Sequence, residues 1–278
     1  MELTARGAHV VTVGRGPPPA GSEAHVHWDL AQPEPEGMDR WRSDVVIHAA
    51  AVTDVDLCET DPELAVAVNV TGASRVVELA RRWDARLLYL STDSVFDGLR
   101  GRYADTDQPT PVNVYGRTKL AGEGRALAVA GALVVRFNVV SPERLTYWIL
   151  ASAESGKPIR TFEDVRFNPV EVADLVPILV GLVESGLAGV YHAGSDLTVS
   201  KADYAELLVR HAGLANRAVI TRVRLADYPM RAARPFDTSL QVSAAVLGLF
   251  PMPDLEAAIR RLARGFMSTI RTVQGGKG

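Results

Sequence analysis

Short apolar runs alternate along the chain with longer stretches in which apolar positions recur every three or four residues. The runs His9–Val13, His25–Trp28, Val45–His48, Leu87–Leu90 and Leu133–Phe137 predict strands. Val45-Val46-Ile47 and Leu87-Leu88-Tyr89-Leu90 show no polar alternation, the pattern of parallel strands covered on both faces. Helical patterns fill Pro62–Trp83 and Val114–Val129. This alternation predicts an α/β fold with a Rossmann-like, doubly wound parallel sheet. After about residue 140 the pattern loosens. Helices are predicted over Glu143–Ser155, Val172–Glu184, Ser200–His211 and Leu255–Phe266, with short strands at Pro158–Thr161, Val190–His192 and Val219–Val223. Residues 1–140 and 141–278 therefore read as a larger lobe and a smaller C-terminal α/β lobe. No Ser/Gly-rich linker separates them, so they should pack closely around a cleft.

Composition narrows the partners. The 278 residues make one large domain or two small ones. Lys plus Arg total 30 against 33 Asp plus Glu, a net charge of −3, which favours neither nucleic acid nor anionic membrane. The single cysteine, Cys58, excludes an internal disulfide and a multi-thiolate zinc site, and fits a cytoplasmic setting. The start, Met1–Gly7, lacks the apolar core of a signal peptide. Leu175–Val183 is apolar but contains Pro177 and is too short to span a bilayer.

Two constellations carry candidate chemistry. Ser91-Thr92-Asp93 follows a predicted strand, and ligands of open α/β sheets bind beyond such strand ends. Taken alone, the same residues also read as a turn. Tyr115 and Lys119, four apart, share one helical face. A phenol with a pKa of about 10 exchanges protons poorly at neutral pH, and a neighbouring ammonium lowers that pKa. Such a pair can pass a proton to a carbonyl or take one from an alcohol. Upstream, Ala49-Ala50-Ala51-Val52-Thr53 follows another buried strand, and its small residues would let a flat ligand approach the backbone. Asn69 lies in the helix that follows.

Four stretches together resemble the extended short-chain dehydrogenase/reductases, and specifically the dTDP-4-dehydrorhamnose reductase group. They are VVIHAAAVTDVDLCETDPELAVAVNVTGA (45–73), LLYLSTDSVFDG (87–98), DQPTPVNVYGRTKLAGE (107–123) with Tyr103 before it, and ARPFDTSL (233–240). The resemblance implies an N-terminally truncated dinucleotide-binding domain over 1–140, a mainly substrate-binding lobe over 141–278, and NADPH- or NADH-dependent reduction of a 4-keto nucleotide sugar. It makes Tyr115 the proton donor, has Lys119 lower the Tyr115 pKa and hold the nicotinamide ribose, and has Thr92 hydrogen-bond the substrate carbonyl. Ala51, Val52 and Thr53 would line the cofactor, Asp29 and Leu30 would meet its adenine, and Arg15 would meet a 2′-phosphate. On the substrate side stand Thr92, Asp93, Ser94, Val139 and Arg234. The family usually carries aromatics where this chain has Ser94 and Val139, so a roomier pocket and a different keto sugar are expected. A homodimer is compatible with this reading. The β-subunit of methionine adenosyltransferase also resembles this family, so a non-catalytic regulatory protein is the alternative reading, with a cofactor-free pseudo-enzyme beside it.

The family's opening strand and glycine-rich turn, which place backbone N–H groups against a pyrophosphate, have no counterpart here. His9–Val13 matches the family's second strand, and Met1 falls within what should be a helix. Gly14-Arg15-Gly16 runs into Pro17–Pro19, which lack N–H donors. Gly122 and Gly124 sit in a helix, and Gly275–Gly278 reads as a frayed tail. The expectation is a coding start placed too late, or else a repacked sheet. A further expectation is weak NADPH binding by the chain as it stands.

Overall fold

The computed structural model describes residues 2–19 and 21–275. Met1 and Gly276–Gly278, on which two of the expectations above fall, lie outside them. The first strands are β1 (Val11–Gly14), β2 (Ala24–His27), β3 (Val45–His48), β4 (Arg86–Leu90) and β5 (Leu133–Arg136). There follow β6 (Val139–Val140), β7 (Pro158–Phe162), β8 (Arg166–Phe167), β9 (Val170–Glu171), β10 (Gly189–His192), β11 (Val199–Ser200) and β12 (Val219–Val223). The helices are α1 (Glu2–Ala5), α2 (Val55–Thr60), α3 (Pro62–Val66), α4 (Ala73–Trp83), α5 (Val114–Ala126), α6 (Leu145–Glu154), α7 (Val172–Glu184), α8 (Lys201–His211), α9 (Ala244–Leu249) and α10 (Leu255–Gly275).

Four parallel strands in the order β10-β5-β4-β3 form the main sheet. Side-chain alternation divides it between two cores. Leu87, Tyr89 and Val134 point into one, with Trp28, Val77 and Trp83. Leu88, Leu133 and Val135 point into the other, with Leu175, Ile178 and Leu182 of α7. Both faces are thus covered, which is why these strands read as continuously apolar.

One feature departs from the sequence expectation, and a second concerns the sheet that lacks a counterpart of the family's opening strand. β10 and α7 follow residue 140, yet they complete the first lobe's sheet and cover its face. And the sheet is not continuous: β1 and β2 pair only with each other, Val11 opposite Ala24. Among the described residues no strand bonds the outer edge of β3, and Ile47 and Val13 are 38% and 42% exposed.

The remaining chain builds the second lobe. β7 pairs with β12, and β8 with β11. Its core gathers Ile149, Leu150, Ile159, Phe167, Tyr204, Leu208 and Ile259. The helix predicted over 62–83 is one helical run of three parts. Asp61 caps α3 by accepting from Leu64 N at 2.9 Å, a π-helical turn spans Ala67–Gly72, and α4 ends at left-handed Asp84. π-Turns often mark functional positions.

Candidate active site

The end of β4 meets the start of α5 because four local features force the contact. Ser91 N bonds Val135 O at 2.8 Å and Asp93 N bonds Phe137 O at 3.3 Å, so the chain stays extended through Thr92. The Thr92 hydroxyl then accepts from Ser94 N at 3.1 Å and caps a short turn over Asp93–Val95. Across from it, Asn113 caps α5, its Oδ1 accepting from Gly116 N at 2.8 Å while its Nδ2 donates to Ala233 O at 2.9 Å. Gly116 closes the contact: a Cβ there would lie 2.2 Å from the Ser94 carbonyl oxygen. Thr92 and Tyr115 are thereby neighbours.

The Tyr115 ring packs against Cys58 and Ala65. Burial pushes its pKa up to about 12; the Thr92 hydroxyl opposes this, and the Asp93 charge adds to it. The direction is opposite to the one expected from a Tyr–Lys pair. Burial is the reason, and the ammonium is engaged elsewhere. Lys119 Nζ donates to Leu90 O at 2.7 Å and sits 4.2 Å from the centroid of the Tyr89 ring. Burial pulls its pKa down to about 8, with Glu123 acting the other way. At neutral pH Tyr115 is a neutral phenol that holds a proton to give.

The segment expected to line a cofactor is clipped in place by Asn69. Its Oδ1 accepts from Val52 N at 2.8 Å, and its Nδ2 donates to Val52 O and to Thr118 Oγ1, both at 3.1 Å. Ala51 and Thr53 flank that clip. Asn69 sits in the π-turn; its signal in the sequence is an Asn between Val68 and Val70 on an apolar face. Gly122 lets α5 lie close to this unit, since a Cβ there would meet the Tyr89 hydroxyl at 2.2 Å and Asn69 O at 2.8 Å.

Other predicted residues are placed differently. Asp93 is 2% exposed and turned inward. Its oxygens accept from Thr92 Oγ1 at 3.1 Å, Ser94 Oγ at 3.3 Å, Asn138 Nδ2 at 2.9 Å and Thr238 Oγ1 at 2.5 Å, which leaves little to offer a substrate. Val139 is 44% exposed and pairs with Val170, beside the Asn138 that holds Asp93. Arg234 pairs with Asp56 at 2.9 Å, beside a hollow of about 370 Å³ between α2 and residues 229–231. Arg15 and Asp29 stand 4.0 Å apart on the β1–β2 ribbon, and Asp29 also accepts from Ala31 N at 3.0 Å. Leu30 is buried against the π-turn, where a Cβ on Gly72 would come within 2.9 Å of it. Among the described residues no group of three or more His, Cys, Asp or Glu is placed to hold a metal, and no helix is long and apolar enough to cross a membrane.

Residues 2–267 match the RmlD substrate-binding domain family. The chain belongs to that family. Among its RmlD-family relatives, a dTDP-4-dehydrorhamnose reductase of Mycobacterium tuberculosis is 34% identical over 245 residues, 84% of this chain and 80% of the relative. A probable low-salt glycan biosynthesis reductase of Haloferax volcanii is 32% identical over 218 residues, 75% of this chain and 72% of the relative. The fold agrees with that of a dTDP-4-dehydrorhamnose reductase from Bacillus anthracis solved in complex with NADP. That likeness has a TM-score of 0.79 at 24% identity and covers 91% of this chain and 97% of the other. The α/β Rossmann-like architecture expected from the apolar pattern is therefore the family's fold.

Proposed function

We propose that this chain is an NAD(P)H-dependent reductase of a 4-keto nucleotide sugar, with Tyr115 as proton donor. The observation that carries the reading is the buried Tyr115 phenol beside the Thr92 hydroxyl at a strand end. Relatives at 32–34% identity bear reductase names, which supports the reaction class.

A dinucleotide fits the residues present at its two ends. The buried His48 Nε2, just ahead of Ala49–Ala51, has no hydrogen-bond partner within the protein. Lys119, Tyr115 and the Ala51–Thr53 segment would hold the nicotinamide ribose, and Arg15, Asp29 and Leu30 the adenosine. When bound, the cofactor supplies a hydride to the carbonyl carbon. The chain supplies the rest. Thr92, its hydroxyl turned from Asp93, would donate a hydrogen bond to the carbonyl oxygen, and Tyr115 gives that oxygen its proton, so the C=O becomes CH–OH. Lys119, one helical turn along from Tyr115, would offer positive charge on the same face of α5 as the phenol loses that proton, which would lower the barrier. The nucleotide would lie toward Arg234 and the hollow beside it.

The finer reading is that the pocket takes a keto sugar other than dTDP-4-dehydrorhamnose, since Ser94 and Val139 stand where aromatics are usual. The test is calorimetric titration with NADPH and NADH, followed by turnover of dTDP-4-dehydrorhamnose and other nucleotide keto sugars. Weak cofactor binding with turnover of one of these sugars is the expected result. Cofactor binding without any turnover would overturn it in favour of a non-catalytic regulatory protein.

A further inference from the structure

Tyr115, Lys119 and Glu123 follow one another at four-residue steps along a single face of α5. Glu123 is 1% exposed. Its carboxylate accepts from the Ser91 hydroxyl, from Arg136 Nε at 2.9 Å and from Arg136 Nη2 at 2.7 Å. Lys119 Nζ meanwhile donates to Leu90 O. Leu90 and Ser91 are consecutive and lead straight into Thr92. The helix that carries Tyr115 thus grips the end of β4 at two adjacent residues, just before the hydroxyl that faces the phenol.

A buried ion pair adds little net stability, because desolvation offsets the attraction. The Glu123–Arg136 pair calls for a different explanation. We propose that Glu123 is a positioning residue, holding both the Lys119 ammonium and the Ser91–Thr92 corner in register with Tyr115. The proposal rests on the reading of Tyr115 and Lys119 as the proton-transfer pair.

Electrostatics point the same way. The groups facing Lys119 are the Tyr89 ring from β4, His48 from β3 and Glu123 from α5, with Tyr115 one turn away on the same helix face. Tyr89 is held protonated by burial, Tyr115 is neutral, and burial with Lys119's own charge holds His48 at about 3, uncharged at neutral pH. Glu123 supplies the negative charge that resists loss of the Lys119 proton.

The chain has four lysines, Lys119, Lys157, Lys201 and Lys277, so Lys119 can be followed directly. The experiment is an NMR titration of protein labelled at the lysine ε-carbon, with the Lys119 signal assigned by its loss in Lys119→Arg. Alongside it runs the pH profile of kcat. Glu123→Gln keeps an acceptor for Ser91 but removes the charge. It should move the Lys119 titration down by about one unit, and the alkaline limb of kcat with it. Ser91→Ala should leave the Lys119 titration in place yet lower kcat about tenfold by loosening the corner. If Glu123→Gln fails to fold with Arg136 unpaired, Glu123→Gln with Arg136→Gln removes both charges, and a smaller downward shift is expected. A folded variant in which Lys119 titrates as in the wild type overturns the proposal. The titration needs no substrate, so a wild-type protein without turnover would sink the catalytic reading separately.

Discussion

The two ends of the expected dinucleotide site are built on different terms. Around Tyr115, Asn69, Asn113 and Glu123 are each about 1% exposed, and each joins two or more separate segments. Around Arg15, a two-stranded ribbon carries an ion pair at 4.0 Å whose arginine side chain is 66% exposed. The chemistry end is fixed before any ligand arrives, as a proton transfer sensitive to displacements of about 1 Å demands. The adenosine end is adjustable, and its ion pair is of the solvent-screened kind worth roughly 0–1 kcal/mol. Histidines report the same division. His9 on the ribbon side has its pKa raised by its hydrogen bond to Glu23, whereas burial pulls His48 and His192 in the main sheet down.

The largest effect expected at the rigid end follows Tyr115→Phe. Loss of the proton donor should lower kcat by about 10²–10⁴-fold, with an unchanged thermal melt. Near-wild-type turnover in a steady-state assay would remove Tyr115 from its role. Next comes acid sensitivity. His192 falls from an ordinary 6.5 to about 4, so the unfolded chain takes up its proton first. Stability is therefore full above about pH 6.5 and is lost as pH falls toward 4, by about 3 kcal/mol for this residue. Urea melts across that range should show the slope, and His192→Gln should lessen it, leaving the part that His48 contributes.

Gly116→Ala probes the contact between corner and helix. With Ser94 O only 2.2 Å from the new methyl, the corner must move. A destabilisation of about 1–3 kcal/mol is expected, with a fall in kcat larger than any rise in KM. The smallest effect belongs to the adjustable end. Arg15→Ala should change stability by less than about 0.5 kcal/mol while weakening NADPH several-fold relative to NADH, read by parallel calorimetric titrations. Equal loss for both cofactors would place the 2′-phosphate elsewhere.

Much of this contrast was visible in the residue order, because the rigid end is made of strong local signals. The unbroken apolar runs marked β3, β4 and β5 to within a residue or two, and α7 came out end for end at Val172–Glu184. Position relative to those runs singles out Thr92, Tyr115 and Lys119 as the candidates. The misses share one cause, which is distance along the chain. β10 lies next to β5 in space but more than fifty residues beyond it, so sequence order assigned it to the wrong lobe. Strands of two residues, such as β6 and β9, are too short to carry a period. The inward turn of Asp93 depends on Asn138 and Thr238, which lie 45 and 145 positions away. Likewise the raised pKa of Tyr115 comes from packing by α2 and α3, which no four-residue spacing reveals.

Asp93 also bears on how the molecule comes apart. Its carboxylate is shared between the turn after β4, the residue after Phe137, and Thr238 far down the chain. Neither lobe can melt by itself without leaving that buried charge short of donors, which costs roughly 1–3 kcal/mol or more. The two lobes are therefore one cooperative unit, and heat absorption on unfolding should come as a single peak whose calorimetric and van't Hoff enthalpies agree.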